Sequence, residues 1–502
     1  MVAGIVQLAA TGIENTWVSE NPQITFFKTV YRRHTEFATE SIPLNFNSTP
    51  NFGQTVSCTL GHFGDLVSKM YLFVQLPAIP QFIDDKTGNI DERARVAWVK
   101  NLGHVLISDA TIEIDGHVID KLYGEWLHIW SEMTVGPNKR SSFNKMIGNL
   151  ENLTSFTKEK PNIDMYIPLS FWFTKGSGLS IPLVALTSDD IKISIKFRSE
   201  SECLLIGPTH SIQIEQDISP FEQGDYVYQT INGQTVQAYV TGFDYLNRKL
   251  YYIKLAGSNK QSIQSYQGSR DEFRSSSRLK HIYQITRLGD NPVSVFPECE
   301  SIEQIECISR PKINFINCQL YVDYVYLGAE ERRRFGTGTH EYLIEQTQFN
   351  KKIGITSSVT KFGLSLKHPV KTIYWVAQFS NLVGPNSLLD YFNYDSVVKS
   401  TSFMVNGVER FGRTDWLFTS MVQPLQHHTN GSTSKINMFS FSNNPELFQP
   451  TGAMNMSNID NIQLLLTMSN LVSENNPVNI RSYAINYNIL RIGFGKGSVA
   501  FK

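Results

Sequence analysis

One order of sequence features occurs twice in this chain, and it limits the fold more than any other property. In the first half, Thr111-Ile-Glu-Ile-Asp-Gly116 is followed by Trp126-Leu127; in the second, Ser402-Phe-Met-Val-Asn-Gly407 is followed by Trp416-Leu417. In both places strand-type residues run into Asp-Gly or Asn-Gly, which tolerate the left-handed backbone of a two-residue hairpin turn. Each half then offers an aromatic run read as a strand, Phe171 to Phe173 or Phe439 to Phe441. After a loop comes a further strand, opening Asp190-Ile-Lys-Ile or Asn461-Ile-Gln-Leu. Three features in one order point to an ancient duplication. A single sheet cannot bury its apolar face alone, so each copy is expected to be an eight-stranded sandwich.

The remaining segments agree with an all-β chain. Residues from Ile24 through Val30 to Phe46, Thr55 to Leu60, Leu66 to Leu76, Ile191 to Phe197 and Leu320 to Tyr326 are rich in β-branched and aromatic side chains. Tyr342 to Phe349, Thr372 to Phe379, Ile462 to Met468 and Tyr483 to Ile492 continue the series. Helical spacing is confined to Lys121 to Met133 and Ala329 to Phe335. The copies differ by more than a hundred residues lying between the strand ending near Phe197 and the one beginning near Phe315. A structureless loop of that length is improbable inside a compact domain. Gly224 to Tyr228, Thr235 to Val240 and Lys249 to Leu255 read as a small β unit with a turn at Asn232-Gly233, and Ser258 to Ser277 as a polar excursion. The expected organisation is an N-terminal arm over 1–23, a first sandwich over 24–328 with a surface insertion at about 203–312, and a second sandwich over 329–502.

Charge and motif content argue against several functions. With 45 basic and 46 acidic side chains the net charge is -1, whereas nucleic-acid binders carry a basic excess or stripe. The one dense cluster, Arg332, Arg333 and Arg334, reads as a solvated or ion-paired turn of helix. Five scattered cysteines, Cys58, Cys203, Cys299, Cys307 and Cys318, lack metal or redox spacing and read as buried thiols in a reducing compartment. No secretory leader or membrane-spanning run is expected. His427-His428 reads as an exposed pair in a polar loop, and Asp84-Asp85 and Asp189-Asp190 as turn residues. Gly493-Phe-Gly-Lys-Gly497 lacks the ending of a phosphate loop and reads as a flexible tail. The expectation is a protein without catalytic residues, bound metal or cofactor.

Three blocks resemble a known family. Asn21-Pro-Gln-Ile-Thr-Phe-Phe-Lys-Thr-Val-Tyr-Arg-Arg-His34 is similar to the N-terminal signature of the major capsid proteins of nucleocytoplasmic large DNA viruses, the chlorella viruses, iridoviruses and mimivirus relatives. Tyr321-Val-Asp-Tyr-Val-Tyr-Leu327, Glu331-Arg332 and His340-Glu-Tyr-Leu-Ile-Glu-Gln346 resemble its inter-domain signature, and Tyr487-Asn-Ile-Leu-Arg-Ile492 its C-terminal end. Gly4 to Gly12 also matches the family's opening. The resemblance spans the chain except roughly Cys203 to Lys312. It implies two consecutive jelly rolls, a homotrimer of pseudo-hexagonal outline, and capsomers that tile an icosahedral shell over an internal membrane.

Within that picture Phe26, Phe27, Tyr31, Arg32 and Arg33 are candidates for contact between subunits, with Arg332 and Arg333, because aromatic and arginine side chains together favour interfaces. The competing reading places the aromatics in the first sandwich's core. By family analogy the insertion faces outward, with Tyr245, Tyr251 and Tyr252 as outer-surface candidates. The implied partners are neighbouring capsomers, minor capsid and penton proteins, the membrane indirectly, and host glycans or fibres through the insertion; direct contact with nucleic acid is not expected. The implied location is the virion, assembled in host cytoplasm. A minor capsid paralogue and a carbohydrate-binding jelly-roll attachment protein remain as alternatives.

Overall fold

The computed structural model describes residues 3–84, 87–231, 234–255, 284–289, 292–297, 303–305, 312–383, 387–394, 397–431 and 435–501. The first sandwich is built from β1 (Phe37–Leu44), β2 (Thr55–Thr59), β3 (Leu66–Leu76), β4 (Ile107–Ile114), β5 (His117–Tyr123), β6 (Ile163–Pro168), β7 (Ile191–Phe197) and β8 (Asn317–Leu327). The second contains β9 (His340–Ile355), β10 (Val359–Gly363), β11 (Pro369–Phe379), β12 (Val398–Val405), β13 (Val408–Asp415), β14 (Asn437–Ser440), β15 (Ile462–Met468) and β16 (Val478–Gly493).

The strand orders show the duplication directly. The sheets of the first sandwich run β1-β8-β3-β6 and β2-β7-β4-β5; those of the second run β9-β16-β11-β14 and β10-β15-β12-β13. Adding eight to each label converts one pair of sheets into the other. Both are jelly rolls. Even the accessory pairings correspond, since Ile181–Pro182 lies on β3 and Met454–Asn455 on β11. The hairpin turns sit at matching places: Asp115 and Gly116 take φ of 50° and 75°, Asn406 and Gly407 of 49° and 83°. Positive φ at two successive residues is what a turn matched to the strand twist demands. Inward-outward alternation places Ile191, Ile193, Ile195 and Phe197 in one core and Ile462, Leu464, Leu466 and Met468 in the other.

The insertion folds as its own seven-stranded sheet. Its order is Ser294–Val295, Ile285–Arg287, Tyr226–Ile231, Gln234–Asp244, Lys249–Leu255, His210–Gln213 and Glu303–Gln304. Ile212, Val227, Val236, Val240, Leu250 and Tyr252 form its core. Ile253 and Leu255 pack with Ala97 and Phe156, which anchors the unit to the first roll. The Asn232-Gly233 turn, the Ser258 to Ser277 excursion, Asp85, Cys299 and Cys307 lie outside the described residues. Cys58, Cys203 and Cys318 are buried free thiols.

Several local expectations are corrected. Phe171 to Phe173 is not a strand: Trp172–Lys175 forms a tight 3-10 turn capped by Phe171, and the rings of Phe171, Trp172 and Phe173 are buried. Helix begins only at Gly124, because Lys121 to Tyr123 finish β5 and pair with Asp109 to Thr111. Residues 24–36 form no strand; the first begins at Phe37. The Gly-rich tail is tied down, since Lys496–Val499 pairs with β16 and Gly497 N–H donates to the Asp189 carboxylate at 2.9 Å. A Cβ at Gly495 would lie 2.7 Å from the hydroxyls of Thr187 and Ser188, so glycine there permits close docking on the first roll.

Candidate assembly surfaces and the seam between the rolls

The assembly role that the resemblance implies would reside in surfaces and in the rigidity that presents them, and that rigidity is set at the join between the rolls. One continuous apolar core reaches from Leu72, Val74 and Ile193 in the first roll to Ile344, Tyr374 and Ile485 in the second. Trp126, on the helix Gly124–Thr134, packs its ring 5.3 Å from Tyr374 and 5.7 Å from Tyr483. Buried charge is embedded in this seam. The Glu125 carboxylate accepts from Arg481 Nε at 2.6 Å and Nη2 at 2.7 Å, from the Tyr483 hydroxyl at 2.7 Å and from the Tyr394 hydroxyl at 3.1 Å. Burial alone would weaken the Arg481 charge, but the Glu125 carboxylate outweighs it and raises the guanidinium pKa. Arg481 Nη2 also donates to Gln378 Oε1 at 2.8 Å.

A second knot lies nearby. Glu345 of β9 pairs with Lys175 of the first roll at 2.5 Å and with the fully buried Lys371 of β11. Burial pushes the Lys371 amine down to about 8, while Glu345 stays below the usual carboxylate range because its two lysines outweigh its own burial. Lys371 Nζ further donates to the Pro445 carbonyl at 2.6 Å, and Lys175 Nζ stands 4.2 Å above the Trp130 ring. Across the seam, Thr347 N–H donates to Asp120 at 2.9 Å, and burial lifts the Asp120 carboxyl to about 7. Every one of these groups is partnered, as buried charge requires.

The residues singled out from sequence fall into different surroundings. Phe26, Phe27 and Tyr31 are 90%, 97% and 86% exposed, with Arg32 and Arg33 exposed beside them. The reading that placed these aromatics in the first core is therefore wrong; the arm over residues 3–36 leaves the sandwich before β1 and no residue in it is buried. Arg332, on the helix Ala329–Thr337 that joins the rolls, donates to Asp65 at 2.8 Å; Arg333 is exposed on the same helix. Tyr245 is 68% exposed and Tyr251 half-buried, but Tyr252 is 1% exposed and stacks on His210 in the insertion core. Tyr252 is thus corrected from the outer surface to the interior: successive strand residues face opposite sides, so Tyr251 and Tyr252 cannot share a face. His428 is likewise not an exposed loop residue. Its side chain is buried, with Nδ1 2.9 Å from Glu446 and Nε2 2.8 Å from the Tyr374 hydroxyl, while His427 ends the helix Gln423–His427, half-buried with Nδ1 3.1 Å from the Asn443 carbonyl.

The seam residues were not anticipated from sequence. A charged residue inside an apolar strand, Lys371 between Val370 and Ile373, was the available signal. Among the described residues, no three His, Cys, Asp or Glu side chains gather as a metal set, and no helix is long and apolar enough to cross a membrane.

Two jelly rolls locked edge to edge define the double jelly-roll class, and solved viral shells share it. The quasi-atomic model of the PBCV-1 virus capsid superposes with a TM-score of 0.63 at 22% identity, covering 95% of this chain and 100% of that one. The Faustovirus major capsid protein does so with a TM-score of 0.64 at 14% identity, covering 94% of each. Residues 25–246 match the family model for the major capsid protein N-terminus, and residues 331–498 that for the large eukaryotic DNA virus major capsid protein. The chain is 44% identical to "Probable capsid protein 4" of Acanthamoeba polyphaga mimivirus over 100% of its own length and 99% of that protein's. It is 28% identical to the major capsid protein of Phaeocystis pouchetii virus, with both chains fully covered. The chain belongs to the major capsid protein family of large eukaryotic DNA viruses. Its function is that of a structural subunit of the virion capsid.

Proposed function

We propose that three copies of this chain assemble into a capsomer with a six-cornered outline, and that the capsomers tile an icosahedral shell. The observation that carries this reading is the eight-strand offset that relates the two rolls, together with the paired charges that fix them to each other. Each monomer presents two similar corners, so closed three-fold symmetry gives six. The energy comes from burying complementary surface between identical copies, and the exposed aromatic and arginine residues Phe26, Phe27, Tyr31, Arg32, Arg33 and Arg333 are the contact residues we assign. The chemistry is assembly rather than catalysis, in line with the family. Minor capsid and penton proteins, an internal membrane beneath the shell and assembly in host cytoplasm complete the reading. Light scattering on the purified chain tests it: the mass of three chains at micromolar concentration is expected, and a monomer at every concentration would refute it.

The insertion is read as the outward crown of that capsomer, with Tyr245 and Tyr251 available to host glycans or fibres. Its separate core supports a unit that can be removed without dismantling the roll. Deleting Pro208 to Pro311 is expected to leave the trimer intact; loss of the trimer would make the insertion an assembly element.

A second reading has one observation in its favour. "Capsid protein 1" of Acanthamoeba polyphaga mimivirus also matches, at 31% identity over 79% of this chain, so one virus carries more than one such protein. A less abundant paralogue within a shell is the corresponding role, and copy number per particle by quantitative mass spectrometry separates the two.

A further inference from the structure

An open cleft of about 380 Å³ lies between the rolls, beside the Glu125–Arg481 pair. Its wall carries Arg198 from the first roll and Phe349, Lys351, Tyr391 and Phe392 from the second. Glu125 is already neutralised by Arg481, so the cationic character of the cleft comes from Arg198 and Lys351. The Arg198 guanidinium stands 4.9 Å above the Tyr391 ring and approaches Glu202 only to 3.7 Å. Its Nε is buried without a hydrogen-bond partner. Lys351 is exposed at the mouth, next to Ile353, itself 65% exposed. A cleft with aromatic walls, an exposed lysine at its mouth and a guanidinium only loosely held by Glu202 favours a carboxylate carried on an apolar body.

The chain itself carries such a segment, exposed throughout its described residues. Residues 3–24 include Glu14 and Glu20 and no lysine or arginine. The turn Ile13–Asn15 leads into the short helix Thr16–Ser19, and Trp17 and Val18 there are 92% and 90% exposed. A tryptophan and its apolar neighbours left in water mark a contact surface.

We propose that the cleft of one copy receives the segment Ile13–Glu20 of a neighbouring copy, with Trp17 against Phe349 and Tyr391 and a glutamate facing Arg198 and Lys351. This rests on the self-association proposed above. Arm and cleft are different surfaces, so each copy gives one contact and receives another, and three such contacts close a ring.

Zero-length carbodiimide cross-linking, which joins amines to carboxylates in contact, tests the pairing on the full chain. The sample is an equal mixture of isotopically light and heavy protein whose mass is followed by light scattering. Cross-links from Lys351 to Glu14 or Glu20 are expected, in pairs that mix light and heavy chains. Same-isotope pairs alone would mean that the arm folds into its own cleft, and the proposal falls. An oligomer without these cross-links overturns the arm contact and leaves self-association standing; a monomer throughout overturns both. Because Lys351 is exposed, Lys351→Glu is expected to fold normally and to weaken association about tenfold. Adding Glu14→Lys and Glu20→Lys to it is expected to restore association. Failure of that exchange to restore it would contradict the assigned partners.

Discussion

Arg481, on β16 of the second roll, clasps Glu125, at the start of the helix Gly124–Thr134 of the first, through two hydrogen bonds of 2.6 and 2.7 Å. The pair is separated by 356 residues in sequence and nearly withdrawn from water. It therefore acts on the relation between the rolls rather than on either roll alone.

Removing one partner of this pair strands the other in a low-dielectric seam. Arg481→Ala is expected to destabilise the chain by about 3–5 kcal/mol, while Glu125→Leu combined with Arg481→Met costs less than that single change. Urea unfolding midpoints of these two variants, together with Glu125→Leu and Arg481→Met made singly, check the order. A double variant as unstable as the sum of its singles would show that the two residues act independently.

Glycine is required at position 124 for space and at 116 for backbone conformation. A Cβ on Gly124 would lie 2.1 and 2.2 Å from the carbonyl oxygens of His104 and Ile107, backbone atoms that cannot step aside. Gly124→Ala is expected to abolish folded protein. Gly116→Ala meets no atom within 4 Å, and only its φ of 75° opposes it, at a cost of about 1–2 kcal/mol. Yield of soluble protein and thermal midpoint distinguish the two.

Acid should loosen the first roll before it affects the carboxylates. His104 and His128 are buried with rings 6.0 Å apart, each with an Nδ1 that has no partner, and His128 stacks on Phe392 of the second roll. Burial, reinforced by Arg140, holds the His104 imidazole down to about 3 and His128 well below its ordinary value. Both stay neutral when folded but take up protons when unfolded, so their contribution is present above about pH 6.5 and is lost as pH falls below it. The slope is about 1.4 kcal/mol per pH unit for each histidine. His128→Phe keeps the stacking and is expected to flatten the fall in urea midpoint between pH 6.5 and 5. An unchanged slope would assign the acid sensitivity elsewhere.

The insertion offers a contrast between two tyrosines. Tyr252→Ala opens its core and is expected to cost about 3–5 kcal/mol there, whereas Tyr245→Ala at the surface stays within about 0.5 kcal/mol. Hydrogen exchange over Lys249–Leu255 reads the difference.

The paired Asp-Gly and Asn-Gly turns were legible in sequence because a hairpin turn is decided by two residues and their neighbours. Ile191–Phe197 and Ile462–Met468 were legible as strands for an equally local reason, their density of β-branched and other apolar residues. What failed depended on distant chain. Phe171 to Phe173 resembles a strand by composition, yet its rings are taken by the core as a tight turn. His428 looked solvent-bound among polar neighbours until Glu446 and Tyr374 enclosed it. Glu125 and Arg481 carried no local sign of each other, and composition leaves the arm's aromatics open between an interface and a core, a choice that depends on where the chain before β1 runs.

Electron-microscope class averages of the purified chain test the central claim most directly. Three-fold particles with six nearly equal lobes around the rim are expected, because each rigid monomer contributes two matched rolls. Isolated two-lobed particles at all concentrations, or assemblies with only three lobes, would contradict it.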